Sequence, residues 1–471
     1  MYKSFLVFII FLFVSFGLQS QNTNITGNAL GAEGLKIKLI TVSDYISELP
    51  RKIDETIVDS LGNFKLKTSI NETILAQLQI DIYKGDIYLE PGKSYVIKIL
   101  TLNYKEDNKE SPFLNRKKLE IVFNNTDSIE LNHQISKFNS LYNGFLMGNS
   151  NDILRNRNKT KIDSFQLEIN SQFSNSKNTF LNNYIKYRIA GLEQSGRFKN
   201  TTKLYKEYIL NKPILYNHIE YMYFFNQFYE KFFFIGKHLL KTDDYKQLIN
   251  TEKNYISLLD SLGRDTLVKS EVIRELVFLK GMKELYYSNA YKNDNIIDML
   301  AKFLVKTKTK EHKQIAQNLI TSFNKLKIGN KAPTFNLKTT KNETFSLASF
   351  QGKYTYIGFF TTWCAGCMSE NEAIVELKKK FGDKINFVSI SADKQFLNLH
   401  YYLEKHKYDW YFLFSGNNND LLEEYEVFTY PIFMLIDTNG NILNYPALKP
   451  SENIENVFKS LIEKESLNSK E

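Results

Sequence analysis

The sequence predicts a multidomain protein in which a β-rich, sandwich-like domain and an all-α domain precede a C-terminal α/β domain. Three observations lead there. The chain has 471 residues, far beyond the roughly 100–200 of one domain. Its apolar residues alternate in the first part, recur every three or four positions in the second, and mix short strand-like runs with helical patterns in the last. Its only two cysteines fall in Trp363-Cys364-Ala365-Gly366-Cys367, inside that last part. The divisions are 1–21, 22–124, 125–325 and 326–471.

Residues 1–21 read as a secretory signal peptide: Lys3 precedes an apolar run from Phe5 to Leu18, with small Ser15 and Gly17, followed by polar Gln19 to Asn22. The run is short for a membrane span, an uncleaved anchor being the alternative, and it holds no cysteine for a lipoprotein anchor. In the next region Leu35, Ile37 and Leu39 alternate with polar residues. Asp59-Ser60-Leu61-Gly62 and Leu89-Glu90-Pro91-Gly92 read as turns between strands. From about residue 125 the pattern is helical. Asp127 and Glu130 suggest a capping box, and Leu131, Ile135, Phe138, Tyr142 and Phe145 trace one helix face. Val272, Leu276, Leu279 and Tyr286 trace another. The aromatic run from Tyr221 to Phe234 reads as bundle core, too interrupted by Asn226, Glu230 and Lys231 to span a membrane. Asn-rich segments at 149–158 and 417–419 read as exposed loops.

In the last region Tyr354 to Phe360 reads as a short buried strand. Met368 to Phe381 reads as a helix, with Ala373, Ile374, Leu377 and Phe381 on one face and Gly382 as its stop. The cysteines therefore lie where a strand ends and a helix begins. Unpaired N–H groups and the positive end of the helix dipole favour a thiolate there. A Cys-x-x-Cys unit is also compatible with half a zinc site, haem attachment or a stabilising disulfide. Structural zinc needs four ligands, and the chain has six histidines, none next to the motif. Met368 stands where haem attachment requires histidine. A disulfide closing so small a loop removes little chain entropy. A redox dithiol remains the best reading.

From about Leu326 the chain resembles the thioredoxin superfamily, and within it the extracytoplasmic branch related to the TlpA and ResA thiol–disulfide oxidoreductases. The resemblance rests on Gly329-Asn330-Lys331-Ala332-Pro333-Thr334-Phe335, on the segment Phe345 to Lys353, on the Cys-x-x-Cys unit, and on Tyr425 to Asp437 around Pro431. Asn439-Gly440 then reads as a two-residue hairpin between strands. The β-rich region weakly resembles the domain that often precedes thioredoxin domains in secreted bacterial proteins.

The resemblance implies a thioredoxin-like fold and a redox-active Cys364–Cys367 disulfide, with Cys364 as the attacking nucleophile and Cys367 as the resolving thiol. It implies that Trp363 covers the active-site surface, that Pro431 is a cis-proline facing the dithiol, and that the backbone at Tyr430 pairs with an extended substrate. Glu370, three residues past Cys367 and on the same helical face, is implied to tune the thiols and shuttle protons. An ordinary first-turn glutamate is the other reading. Thioredoxins proper use a buried aspartate where Gly358 stands. Gly366 replaces the usual proline before the second cysteine, Asn371 and Glu372 stand where a helix proline is usual, and Ile432 replaces a threonine after Pro431. A peroxidatic cysteine is disfavoured because Ile357 occupies the place of the proline in Pro-x-x-x-Thr-x-x-Cys.

The net charge of +9 comes from lysines scattered along the chain, which indicates solvated faces and no nucleic-acid partner. No cofactor or metal motif is present. The expectation is an exported enzyme that reduces or exchanges protein disulfides in the periplasm or cell envelope. Its substrates would be protein thiols or disulfides, and a membrane or periplasmic redox partner would supply electrons. The alternatives are a surface or periplasmic binding protein with an accessory dithiol, and a net disulfide oxidase or isomerase. Oligomeric state is left open.

Overall fold

The computed structural model describes residues 21–100, 117–124, 127–235, 242–288, 290–416 and 418–468. The expected signal segment lies almost wholly outside the described residues, and the first strand begins at Gln21. The β-rich region is two sheets, one of four strands and one of five. The first strand, Gln21–Ala29, pairs with Asn63–Ile70 and Ser94–Ile99 in one sheet, while Lys36–Val42 and Ile74–Ile80 pair at the centre of the other. Alternation buries Ile25, Leu66 and Ile97 against Ile37, Leu39 and Leu78, as period-2 patterning requires. At the first turn the Asp59 carboxylate accepts from the backbone N–H groups of Leu61 and Asn63 at 2.9 and 2.7 Å, and Gly62 adopts φ +79°.

Described helices run from Leu131 to Asn324. The aromatic run forms core: Tyr221, Phe224, Phe225, Tyr229, Phe232 and Phe233 are buried in one cluster with Leu276, Leu279 and Phe303. Three local expectations change. Glu130, not Asp127, is the N-cap of the helix Leu131–Leu154, its carboxylate accepting from His133 N–H at 3.0 Å. That helix continues through Asn149 to Asn151, because burial of Ile153 outweighs the poor helix propensity of asparagine. On the helix Glu271–Tyr286, Leu276 and Leu279 are buried as expected, but Val272 in the first turn faces solvent while its neighbour Ile273 is buried. Asn418, also read as loop, caps the helix Asn419–Glu424 through Leu421 N–H. No described helix is long and apolar enough to cross a membrane.

The C-terminal domain is built on a mixed seven-stranded sheet. Its central strand is Tyr354–Phe360, as the sequence predicts. It pairs in parallel with Ile385–Ser391 and antiparallel with Ile432–Ile436. The helix that follows it spans Ala365–Phe381 and ends at Gly382. It starts three positions earlier than the hydrophobic pattern indicates, because Cys364 rather than an apolar residue caps it. The loop at Asn439-Gly440 is longer than a two-residue hairpin: Ile436 pairs with Ile442, and Asp437 holds the connection by accepting from Asn439 and Asn441 N–H.

The three parts are joined by buried and polar contacts. A loop of the β-rich domain inserts Ile46 into the helical core, and its Asp44 accepts from Asn318 at 2.7 Å. On the opposite side Asp81 binds Lys394 and Asn419 of the C-terminal domain at 2.7 and 2.8 Å, and Lys38 pairs with Asp420.

Gly358 sits mid-strand where a Cβ would lie 2.5 Å from the ring of Phe433, which is buried and stacked on Tyr356. Gly358→Ala should therefore destabilise this domain by about 1–3 kcal/mol through overpacking. Both tryptophans, Trp363 and Trp410, lie in this domain, so their fluorescence during urea unfolding reads it selectively.

Candidate active site

The central strand is buried on both faces and delivers the chain at Phe360 to a short turn, Thr361 to Trp363, before the helix. Cys364 is the N-cap residue of that helix: its Sγ accepts the Cys367 backbone N–H at 3.1 Å, and its carbonyl accepts from Met368 N–H at 3.2 Å. A sulfur so placed meets donors that a helix leaves unpaired, which favours its anionic form. The two cysteines are joined as a disulfide with Cα atoms 5.2 Å apart. Cys364 is half-buried. Cys367 is 1% exposed, enclosed by Phe360, Leu399, Tyr402 and Phe412. Only the first sulfur of the pair is thus open to a second molecule.

The other expected site residues divide into two groups. Trp363 is 45% exposed and meets the Tyr430 ring edge to face, with centroids 6.3 Å apart. The Tyr430–Pro431 peptide is cis, and a Cβ on Gly366 would come within 4.0 Å of Pro431 Cδ. The dithiol turn and the proline loop therefore face each other. Burial, and secondarily the charge of Asp393, pushes the Tyr430 hydroxyl well above the ordinary phenol range. Glu370, one helical turn past Gly366 and Cys367, is buried. Its two carboxylate oxygens accept from the Ser451 backbone N–H at 2.9 Å and the Ser451 hydroxyl at 2.6 Å. Asn371, where the helix proline is usual, donates to the Tyr402 hydroxyl at 3.0 Å and so ties this helix to Phe396–His406.

Asp393 was not singled out by the sequence. It follows the strand Ile385–Ser391, whose Ser391 pairs with Phe360, so the register sets it beside the turn that carries the cysteines. Its carboxylate accepts the Thr362 N–H and hydroxyl and the Ser391 hydroxyl. Burial raises its pKa above the usual carboxylate range against the opposing effect of these hydrogen bonds. An acid just past the carboxyl end of a parallel strand was the available signal.

The helical domain has a cleft of about 510 Å³ around Glu193, Lys199 and Tyr208. Its buried carboxylate is already engaged by Gln166, Tyr208 and Lys199. No group of metal-binding residues occurs among the described residues.

Residues 328–444 match the AhpC/TSA family. The thioredoxin-like protein YneN of Bacillus subtilis is 30% identical over 132 residues, covering 26% of this chain and 76% of that protein. The thiol-disulfide oxidoreductase ResA of Bacillus thuringiensis is 26% identical over 129 residues, 27% of this chain and 73% of that protein. Among solved structures, a thiol:disulfide interchange protein from a Bacteroides species is 25% identical, covering 29% of this chain and 90% of that one, with a TM-score of 0.27.

The Glu370–Ser451 contact makes a stability prediction. Glu370→Ala removes both acceptors of the exposed Ser451 N–H and hydroxyl, which water can then satisfy, and should cost about 0.5–1.5 kcal/mol, whereas Glu370→Gln, which keeps an acceptor, should cost less. Tryptophan-detected unfolding of both variants measures the difference.

Proposed function

The chain belongs to the thioredoxin-like thiol–disulfide oxidoreductases, and from that membership we propose that it is an exported enzyme that reduces or exchanges protein disulfides in the cell envelope. The observation that carries the reading is the asymmetry of the dithiol: Cys364 is half-exposed at a helix N-cap, and Cys367 is enclosed directly behind it. In the reduced protein the Cys364 thiolate attacks one sulfur of a substrate disulfide. A mixed disulfide forms and one substrate thiolate leaves. The Cys367 thiolate then attacks Cys364 Sγ, the second substrate thiolate leaves, and the Cys364–Cys367 disulfide is restored with two electrons transferred. A dithiol of a membrane or periplasmic partner returns those electrons by the same exchange.

Trp363 and the Tyr430–Pro431 loop bracket the exposed sulfur, which suits an extended substrate segment lying along the backbone at Tyr430. Export is supported by Lys3 and the apolar run Phe5 to Leu18. Recovery of the protein from the envelope fraction with residues 1–21 removed, read by N-terminal sequencing, tests it. A cytoplasmic protein that retains them would overturn it.

Cys367→Ser should accumulate mixed disulfides with substrate proteins, and Cys364→Ser should accumulate none. Non-reducing electrophoresis with mass spectrometry reads the adducts. Trapping through Cys367 alone would reverse the roles, and a wild-type chain no more active on a model protein disulfide than the double serine variant would remove the enzymatic reading. A measured potential above that of its substrates would turn the proposal toward a net oxidase.

A further inference from the structure

Asp393 is 2% exposed, yet it lies at the surface end of the sheet, where the dithiol opens to solvent. Both of its oxygens are used. The Thr362 backbone N–H lies 3.0 and 3.2 Å from them, the Thr362 hydroxyl donates at 2.8 Å, and the Ser391 hydroxyl donates at 2.7 Å. Thr362 is two residues before Cys364, in the turn where the Cys364 N–H also donates to the Thr361 carbonyl at 3.2 Å. A displacement of Thr362 would carry Cys364 Sγ away from the Cys367 N–H that it accepts at 3.1 Å.

The segment around Asp393 is held both from within its own domain and from outside it. Ala392 N–H donates to the Phe360 carbonyl at 2.8 Å, and Ser415 N–H donates to the Ser391 carbonyl at 2.9 Å. The next residue, Lys394, pairs with Asp81 of the β-rich domain at 2.7 Å, and the two side chains are 10% and 4% exposed. Asn419 donates to the other oxygen of Asp81 at 2.8 Å. A buried ion pair is weak evidence of stabilisation, because desolvation offsets much of the attraction, but it fixes geometry. Here it fixes the segment that carries Asp393.

We propose that Asp393 is a positioning residue of the redox centre, holding Thr362 so that Cys364 meets the helix N–H groups, and that the β-rich domain supports it through Asp81 and Lys394. The proposal rests on the thiol–disulfide exchange reading and gives the β-rich domain a part in it.

The test uses full-length mature protein carrying Asp393→Asn, Thr362→Val or Asp81→Asn. The rate of Cys364 alkylation by iodoacetamide at pH 7, the dithiol potential against glutathione, and tryptophan-detected unfolding are measured on each. Loss of positioning should make alkylation of reduced Asp393→Asn and Thr362→Val about threefold to tenfold slower and shift the potential, with a smaller change of the same sign in Asp81→Asn. Thr362→Val keeps the carboxylate and removes a single hydroxyl bond, so it decides the matter if Asp393→Asn does not fold. Folded variants with rates within about twofold of wild type and unchanged potential would reduce Asp393 to a purely structural role and overturn the proposal. Faster alkylation in Asp393→Asn beside an unchanged Thr362→Val would overturn it too, because the effect would then be one of charge. An unaltered Asp81→Asn beside slowed partners would exclude the β-rich domain. A wild-type chain that exchanges no protein disulfide would sink the functional reading alone, since alkylation and potential would still decide Asp393.

Discussion

A sulfur atom held at the N-terminus of a helix is the constraint on which the C-terminal domain depends. The Cys367 N–H that Cys364 Sγ accepts belongs to the first turn of Ala365–Phe381, whose donors have no partner four residues back inside the helix, and it is shared with the Cys364 carbonyl at 3.0 Å. Such a sulfur can be useful only if the helix, the turn before it and the strand before that are rigid. The central strand supplies this rigidity, with Tyr356, Ile357 and Phe359 buried and neighbours paired along both edges. A site carried by an element packed on both faces is more accurately placed than one on a free loop.

The surroundings divide the labour between access and enclosure. Trp363, Tyr430 and Pro431 frame the side from which Cys364 can be reached. Phe360, Leu399 and Tyr402 close the side on which Cys367 lies. The two buried carboxylates near the dithiol are both occupied by local hydrogen bonds: Glu370 binds Ser451, and Asp393 binds Thr362 and Ser391. Each therefore orders a chain segment: Glu370 the one that carries Ser451, and Asp393 the turn that precedes the active-site helix.

The domains ahead of the redox domain are joined to it and to each other by more than covalent linkage. Ile46 of the β-rich domain completes the helical core, while Asp81 and Lys38 of the same domain reach the redox domain. The β-rich domain thus touches both neighbours. Its contacts with the redox domain are polar and charged, of a kind that sets orientation with little apolar burial.

The sequence by itself determined the three-part architecture, the strand Tyr354–Phe360, the aromatic helical core and the placement of the two cysteines at a strand-to-helix junction. Periodicity and short covalent spacing carry these, and both are local properties of the chain. Tertiary structure alone decided what the local pattern leaves open. Cys364 became a helix cap because its sulfur reaches Cys367 N–H, which no apolar periodicity registers. Asn149 to Asn151 stayed helical because Ile153 is buried. Glu370 turned to Ser451, 81 residues away, and Asp393 came to Thr362 through the pairing of Phe360 with Ser391. Contacts between residues so far apart in the chain depend on strand register and domain packing, and those follow from the burial of whole faces rather than from any one segment.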